Sequence, residues 1–357
     1  MEEVKKKRIG YFDALRVVAA IAVITIHVAA IKWIDLDIGS PAWEIANIFD
    51  SGMRWAVPIF VMISGALLLN PEKEFSVRKF YKKNILRIII AFAIWSAIYV
   101  VYDFVVRRQS LSFLDVLTIF IKGEYYMWFL YMLIGLYLIT PILRLITKNR
   151  NLMQYFLILG IGISFVLPGA STLANVIATT TGAEVAKHLH TAISAVVGSM
   201  SFNFISGYVV YYVLGYYLHS TYIKRDVRIM IYIYGIIALI MTILLTRNMS
   251  IAIGAKISMF GEPTAWVLAL SVAVFIFFKY HGEKIGCSRI TQSLSSASFG
   301  IYLIHILVMD LVLRIDYIER MSFGVQAYFL VVGLTFGLSY VAIWLAKKIP
   351  VVKEIAC

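Results

Sequence analysis

The chain has 357 residues, of which 61% are hydrophobic and only 15% charged, with a mean hydropathy of +0.85. A soluble protein of this length would be nearer half apolar and a quarter charged, so the composition excludes a soluble enzyme and implies an integral membrane protein. The net charge of +13 collects in alternate segments between apolar blocks, which argues against a nucleic-acid-binding patch and for an orientation signal.

Apolar blocks long enough for a hydrocarbon core of roughly 30 Å run near residues 12–32, 52–70, 84–106, 126–146, 152–168, 204–220, 228–246, 263–280, 297–315 and 324–346. The expected architecture is an all-α integral membrane protein, a single-domain bundle of about ten transmembrane helices with no appended soluble domain. Basic residues precede the first block (Lys5, Lys6, Lys7, Arg8) and recur after every second one (Lys73, Arg78, Lys79, Lys82, Lys83, then Lys148 and Arg150). By the positive-inside rule both termini are expected in the cytoplasm. Residues 1–30 have the basic start of a signal peptide, but their apolar body is too long and too interrupted by charge, so they read as a retained first helix. Cys287, in an expected cytoplasmic segment, and the terminal Cys357 point away from a structural disulfide. Residues 169–203, rich in Thr, Ser and Ala, are expected to form a long outer loop, with a short interfacial helix at 185–198.

The first block, "YFDALRVVAAIAVITIHVAA" (11–30), carries Asp13, Arg16 and His27. Arg16 and His27 are eleven residues apart, which brings them to within about 20° on one helix face and roughly 16 Å apart along the axis. Asp13 lies near the same stripe, within side-chain reach of Arg16. Charge inside a bilayer is costly and normally marks a pathway or a site. The competing reading, that Asp13 and Arg16 only reach back to the membrane surface, does not account for His27, which is too deep to do so.

Later blocks add polar candidates. Arg54 and Ser64 flank "RWAVPIFVMISGALLL" (54–69), where Ser64 also reads as a small packing residue beside Gly65. Arg87, with Lys82 and Lys83 just before it, opens the third block. Tyr125, Tyr126 and Trp128 form an interfacial aromatic belt or stack on a sugar or an adenine. Tyr302 and His305 share one helix face. "HLH" at 188–190 has metal-like spacing without a third ligand, so no metal is expected.

Taken in order, these stretches resemble the acyltransferase-3 family of membrane O-acyltransferases. "DALR" with an arginine eleven residues before a histidine is similar to that family's first helix, and 54–69 to its second, with Arg54, Pro58, Phe60, Ser64 and Gly65 in matching places. "WFLYMLIGLYLITPIL" (128–143) is similar to its fourth helix, and "ASFGIYLIHILV" (297–308), with Tyr302 and His305, to its penultimate one. The chain departs from the family at "FYKKNILRI" (80–88), where Asn84 stands opposite Arg87 in place of two arginines three residues apart.

The resemblance implies transfer of an acyl group, most often acetyl from acetyl-CoA, to a hydroxyl of a cell-surface glycan or lipid-linked saccharide. It makes His27, Arg16 and Asp13 the expected catalytic group, Arg87, Lys83, Lys82 and Ser64 the CoA-binding group, and Arg54, Trp128, Tyr302 and His305 the acceptor-binding group. The residues fit that chemistry in their own right. A neutral imidazole is suited to take a proton from a hydroxyl, and a guanidinium stays charged and can hold phosphate or developing oxyanion charge. Whether His27 acts as base or as acyl carrier stays open here, and so does a second class of function, a glycan transporter or flippase.

Overall fold

The computed structural model describes residues 8–199, 207–261, 264–319, 321 and 324–349. Every regular element among them is helical: α1 (Gly10–Asp35), α2 (Pro41–Met53), α3 (Ala56–Leu68), α4 (Val77–Val105), α5 (Phe113–Lys122), α6 (Trp128–Lys148), α7 (Arg150–Ile161), α8 (Leu167–Thr181), α9 (Glu184–Ser199), α10 (Tyr208–Ser220), α11 (Arg225–Ile253), α12 (Ala265–His281), α13 (Glu283–Gly286), α14 (Arg289–Leu313), α15 (Asp316–Glu319) and α16 (Val325–Ala346). Eight helical stretches are long and apolar enough to cross a membrane, and the shorter α12 is also apolar. The protein is an all-α membrane bundle.

α1 is the spine. It has no proline and no glycine after its first residue, so nothing interrupts its backbone ladder. The buried alanines 14, 19, 22 and 29 let other helices approach closely. It packs against α2, α3, α12, α13, α14 and α16. Its first turn is held by Glu283 of α13, whose carboxylate oxygens accept from the backbone amides of Gly10 and Tyr11 at 3.1 and 3.0 Å.

α3 and α10 cross backbone against backbone. A Cβ at Gly65 would lie 1.8 Å from the carbonyl oxygen of Tyr212, and one at Gly215 would lie 2.0 Å from that of Met62. Two glycines therefore fix the crossing, and the side chain next to Gly65, Ser64, is left to face the bundle interior. α2 and α3 are separated by a turn at Arg54 and Trp55, pinned where the Trp55 indole donates to the Gly52 carbonyl at 2.8 Å. That turn brings Arg54 to the inside.

The region 169–203 corrects the sequence expectation. α7, a short π-helical piece (Gly162–Val166) and α8 run as one apolar helical stretch from Arg150 to Thr181, and α9 returns alongside α8. Residues 200–203 lie outside the described residues. The threonines that read as loop formers bond back to the preceding turn instead: Thr172 to Pro168, Thr180 to Val176 and Thr181 to Ile177, at 2.7–2.9 Å. That pattern satisfies their hydroxyls inside a helix. Gly182, in the left-handed conformation (φ 70°), ends the run. The short helix expected at 185–198 is present as α9, with no buried residue.

Gly215→Ala should disrupt the α3–α10 crossing, because the neighbouring atom is backbone and cannot turn aside. Overpacking typically costs about 1–3 kcal/mol, and a backbone atom 2.0 Å away puts this site at the upper end. The detergent-solubilised variant should show a thermal midpoint many degrees below wild type, while Gly135→Ala, at an open position, should leave it within about a degree.

Candidate active site

Two open cavities lie along α1. The first, about 350 Å³, is lined by Arg8, Arg16, Phe60, Ser64, Asn84, Arg87, Phe129, Tyr137, Phe299 and Tyr302, with Ser295, Ser296 and Ser298 of α14. The second, also about 350 Å³, is lined by Val23, His27, Arg54, Tyr126, Trp128, Phe129, Tyr208 and Tyr302. Phe129 and Tyr302 belong to both walls, their rings 5.3 Å apart.

The first cavity is basic. Asp13, 1% exposed, is the hub behind its wall: it accepts from Arg8 Nε at 2.5 Å and Nη2 at 3.1 Å, from Ser295 Oγ at 2.6 Å and from Arg16 Nη1 at 3.4 Å. Asp13 lines neither cavity. Its oxygens are taken up by two guanidinium groups and the Ser295 hydroxyl. Arg8 also donates to the carbonyl of Gln292 at 3.0 Å, which ties this rim to α14. Arg87 faces the ring of Phe299, 5.7 Å from its centroid, and its Nε finds no partner among the described residues. Ser64 donates to the Phe60 carbonyl at 2.8 Å. Lys82 and Lys83 are exposed on α4 and line neither cavity. The α-helical period accounts for this, since the inward stripe of α4 runs through Phe80, Asn84, Arg87 and Ile88.

The second cavity carries the histidine. His27 Nδ1 is 3.2 Å from the hydroxyl of Tyr125, and its ring centroid is 5.1 Å from that of His305. The Tyr125 contact orients the His27 ring through Nδ1. His305 is fully buried and its Nδ1 is 2.6 Å from the Tyr302 carbonyl, which fixes Nδ1 as the protonated nitrogen. Arg54 is anchored by buried Asp50 at 2.6 and 2.8 Å and lies 4.2 Å over the Phe260 ring. Trp128 packs beside Tyr208. His27, Arg54, Trp128 and Tyr302 are thus brought together, with His305 just behind them.

The clasp that shapes this region was not visible in sequence. Tyr302 donates to the Tyr126 carbonyl at 2.7 Å, and Tyr126 and Tyr99 both donate to the Leu303 carbonyl, at 2.7 and 3.2 Å. Beside it, Arg107 bridges Asp103 (2.9 Å), Glu124 (3.3 Å) and Asp310 (3.9 Å), joining α4 and α14 to the turn that bears Tyr125. Arg8, Asn84, Tyr137 and the α14 serines were likewise missed as cavity groups. Arg8 and Arg107 were visible only as topology charges. His190 of "HLH" bonds Ser171 at 2.8 Å, and no metal-binding cluster exists among the described residues. None of residues 169–199 lines either cavity.

Residues 9–345 match the family model described as an acyltransferase domain. The chain belongs to the acyltransferase-3 family. It is therefore a multi-pass membrane O-acyltransferase, acting between an acyl donor and an acceptor, and the choice between enzyme and transporter falls to the enzyme. No curated protein and no solved structure matches the chain.

In this acyltransferase, Asp13→Ala strands Arg8 and Arg16 without their counter-charge. Arg8 and Arg16 keep part of their side chains in solvent, so the loss is that of the charge-assisted hydrogen bonds, about 1.5–3 kcal/mol each. The thermal midpoint should fall far more than with Asp35→Ala, at the exposed far end of the same helix. Equal midpoints for the two variants would show that the cluster does not anchor α1.

Proposed function

We propose that the enzyme moves an acetyl group from acetyl-CoA, held in the basic cavity, to a hydroxyl of a cell-envelope glycan or lipid-linked sugar in the histidine-bearing cavity. The observation that carries this reading is the arrangement along α1: a guanidinium-lined cavity at the end where the chain's basic segments gather, and an imidazole-lined one further in, sharing a wall. CoA is a polyanion made in the cytoplasm, so the reading puts the basic end on the cytoplasmic face, both termini with it, and the acceptor toward the outside. The membrane in this reading is a bacterial plasma membrane.

Arg16 and Arg87 offer forked donors for phosphate oxygens, Arg8, whose fork is taken by Asp13, adds positive charge, and the second amide hydrogen of Asn84 supplies a neutral donor. Lys82 and Lys83, outside the cavity, are left a weaker role: attraction of the polyanion from a distance. Arg16 lies roughly 16 Å of helix rise from His27, too far to act on the same reacting atom, which assigns it to donor binding. At the second cavity, His27 takes the acceptor's hydroxyl proton. The alkoxide oxygen bonds to the thioester carbonyl carbon, the C–S bond breaks, and the CoA thiolate leaves and takes up a proton from the imidazolium. Tyr125 holds Nδ1 so that Nε2 does the proton transfer. Arg54 is the cation nearest to where the carbonyl oxygen gains charge, and Trp128 offers a face for a sugar ring to stack on.

His27→Gln keeps size and some hydrogen bonding but takes up no proton. Loss of a general base typically costs about 10²–10⁴ in rate. Transfer of radiolabel from [¹⁴C]acetyl-CoA to a membrane glycan should fall by that factor while CoA binding stays intact, and Arg87→Ala should weaken CoA binding instead. An active His27→Gln enzyme would remove the base from this mechanism.

A further inference from the structure

A third, much smaller space lies between the two cavities. It measures about 10 Å³ and is walled by Ala20, Val23 and Ile24 of α1, Phe60 of α3, and Ile301, Tyr302 and His305 of α14. Its walls connect the neighbouring spaces: Phe60 and Tyr302 also line the basic cavity, and Val23 and Tyr302 the histidine-bearing one. A volume of this order holds a single small group, about the size of one water. Apart from Tyr302 and His305 every lining side chain is apolar, and no lysine or arginine contributes to it. The Tyr302 hydroxyl donates to the Tyr126 carbonyl, and Nε2 of His305 is buried with no hydrogen-bond partner among the described residues. With five of its seven lining residues apolar, the space fits a methyl group in size and in contacts.

Its position matters as much as its size. Val23 and Ile24 are one turn before His27 on the same helix, and the His305 ring that bounds the space is 5.1 Å from the His27 ring. An acyl chain seated here would leave its carbonyl carbon beside His27 and its sulfur directed toward the basic cavity.

We infer that this space between the cavities is the acyl pocket, and that Ala20, Ile24 and Ile301 set the length of the acyl group transferred. It accepts the methyl of acetyl and rejects longer chains by volume. It rejects an acid-ended chain such as succinyl because a carboxylate there would be buried with no cation to pair it. The inference rests on the acyl-CoA reading above and names its donor class.

The test compares acetyl-, propionyl-, butyryl- and succinyl-CoA as donors for membranes carrying the protein and its acceptor, following release of CoA thiol and label on the glycan. One methylene too many for a fitted apolar pocket is worth roughly 10–200-fold in discrimination. Wild type should therefore lose at least about tenfold from acetyl to propionyl, and more to butyryl and succinyl. Ile24→Val and Ile301→Val, mild enough to fold, should each raise the propionyl-to-acetyl ratio about tenfold. Ala20→Val should cut acetyl transfer by a similar factor with free-CoA affinity unchanged. A wild-type enzyme that uses acetyl and butyryl equally, or valine variants of wild-type thermal midpoint whose donor ratios stay within twofold of wild type, would overturn the pocket while leaving the acyltransferase reading intact. A wild-type protein that releases CoA from none of the four donors would overturn both.

Discussion

Asp13 holds two guanidinium groups and the hydroxyl of Ser295 near the start of α1, and the arrangement of the rest of that helix depends on it. Unpaired charge within a bundle costs several kcal/mol, so arginines that are to bind a ligand need a counter-charge that stays put. Asp13 supplies it while touching neither cavity. It also fastens α1 to α14 over 282 residues of sequence separation. The register so set is the one that brings His27 beside His305, eleven residues beyond Arg16 on α1.

From that register the two cavities follow. Arg16 and Arg87 converge on one and His27 and Arg54 on the other, with Tyr302 and Phe129 between them. Reciprocal bonds between Tyr302, Tyr126 and Leu303 hold the dividing wall. The Arg107 cluster secures the turn before α6, and so the hydroxyl of Tyr125 that orients His27. The fold thereby sets a polar, cation-rich space beside a more aromatic one, the division that the proposed reaction uses.

Much of this was legible in the sequence. Hydropathy located the helical blocks because apolar runs of bilayer length, repeated along a chain, are at home only in a hydrocarbon layer. Helical periodicity put Arg16 and His27 on one face, because that depends only on spacing within an unbroken helix. What was not legible came from longer range. The loop expected at 169–203 failed because Thr and Ser hydroxyls can be satisfied by their own helix, which composition does not reveal. Arg8 and Arg107 looked like topology signals because the groups they join are distant in sequence. Lys82 and Lys83 looked like part of a binding cluster because adjacency in sequence is not adjacency on a helix face: Asn84 and Arg87 turn inward and the lysines do not. The small space at the neck needs three helices to exist at all, and no local pattern announces it.

In the proposed reaction, donor and acceptor occupy opposite ends of one path along α1, and sided membrane vesicles test this most directly. [¹⁴C]Acetyl-CoA, to which the bilayer is impermeable, is supplied to inside-out or to right-side-out vesicles and label on the glycan is followed. Transfer is expected only when the donor meets the face on which Arg8, Arg16 and Arg87 open, the cytoplasmic face exposed by inside-out vesicles, with free CoA staying on that side. Equal transfer in sealed right-side-out vesicles would contradict it.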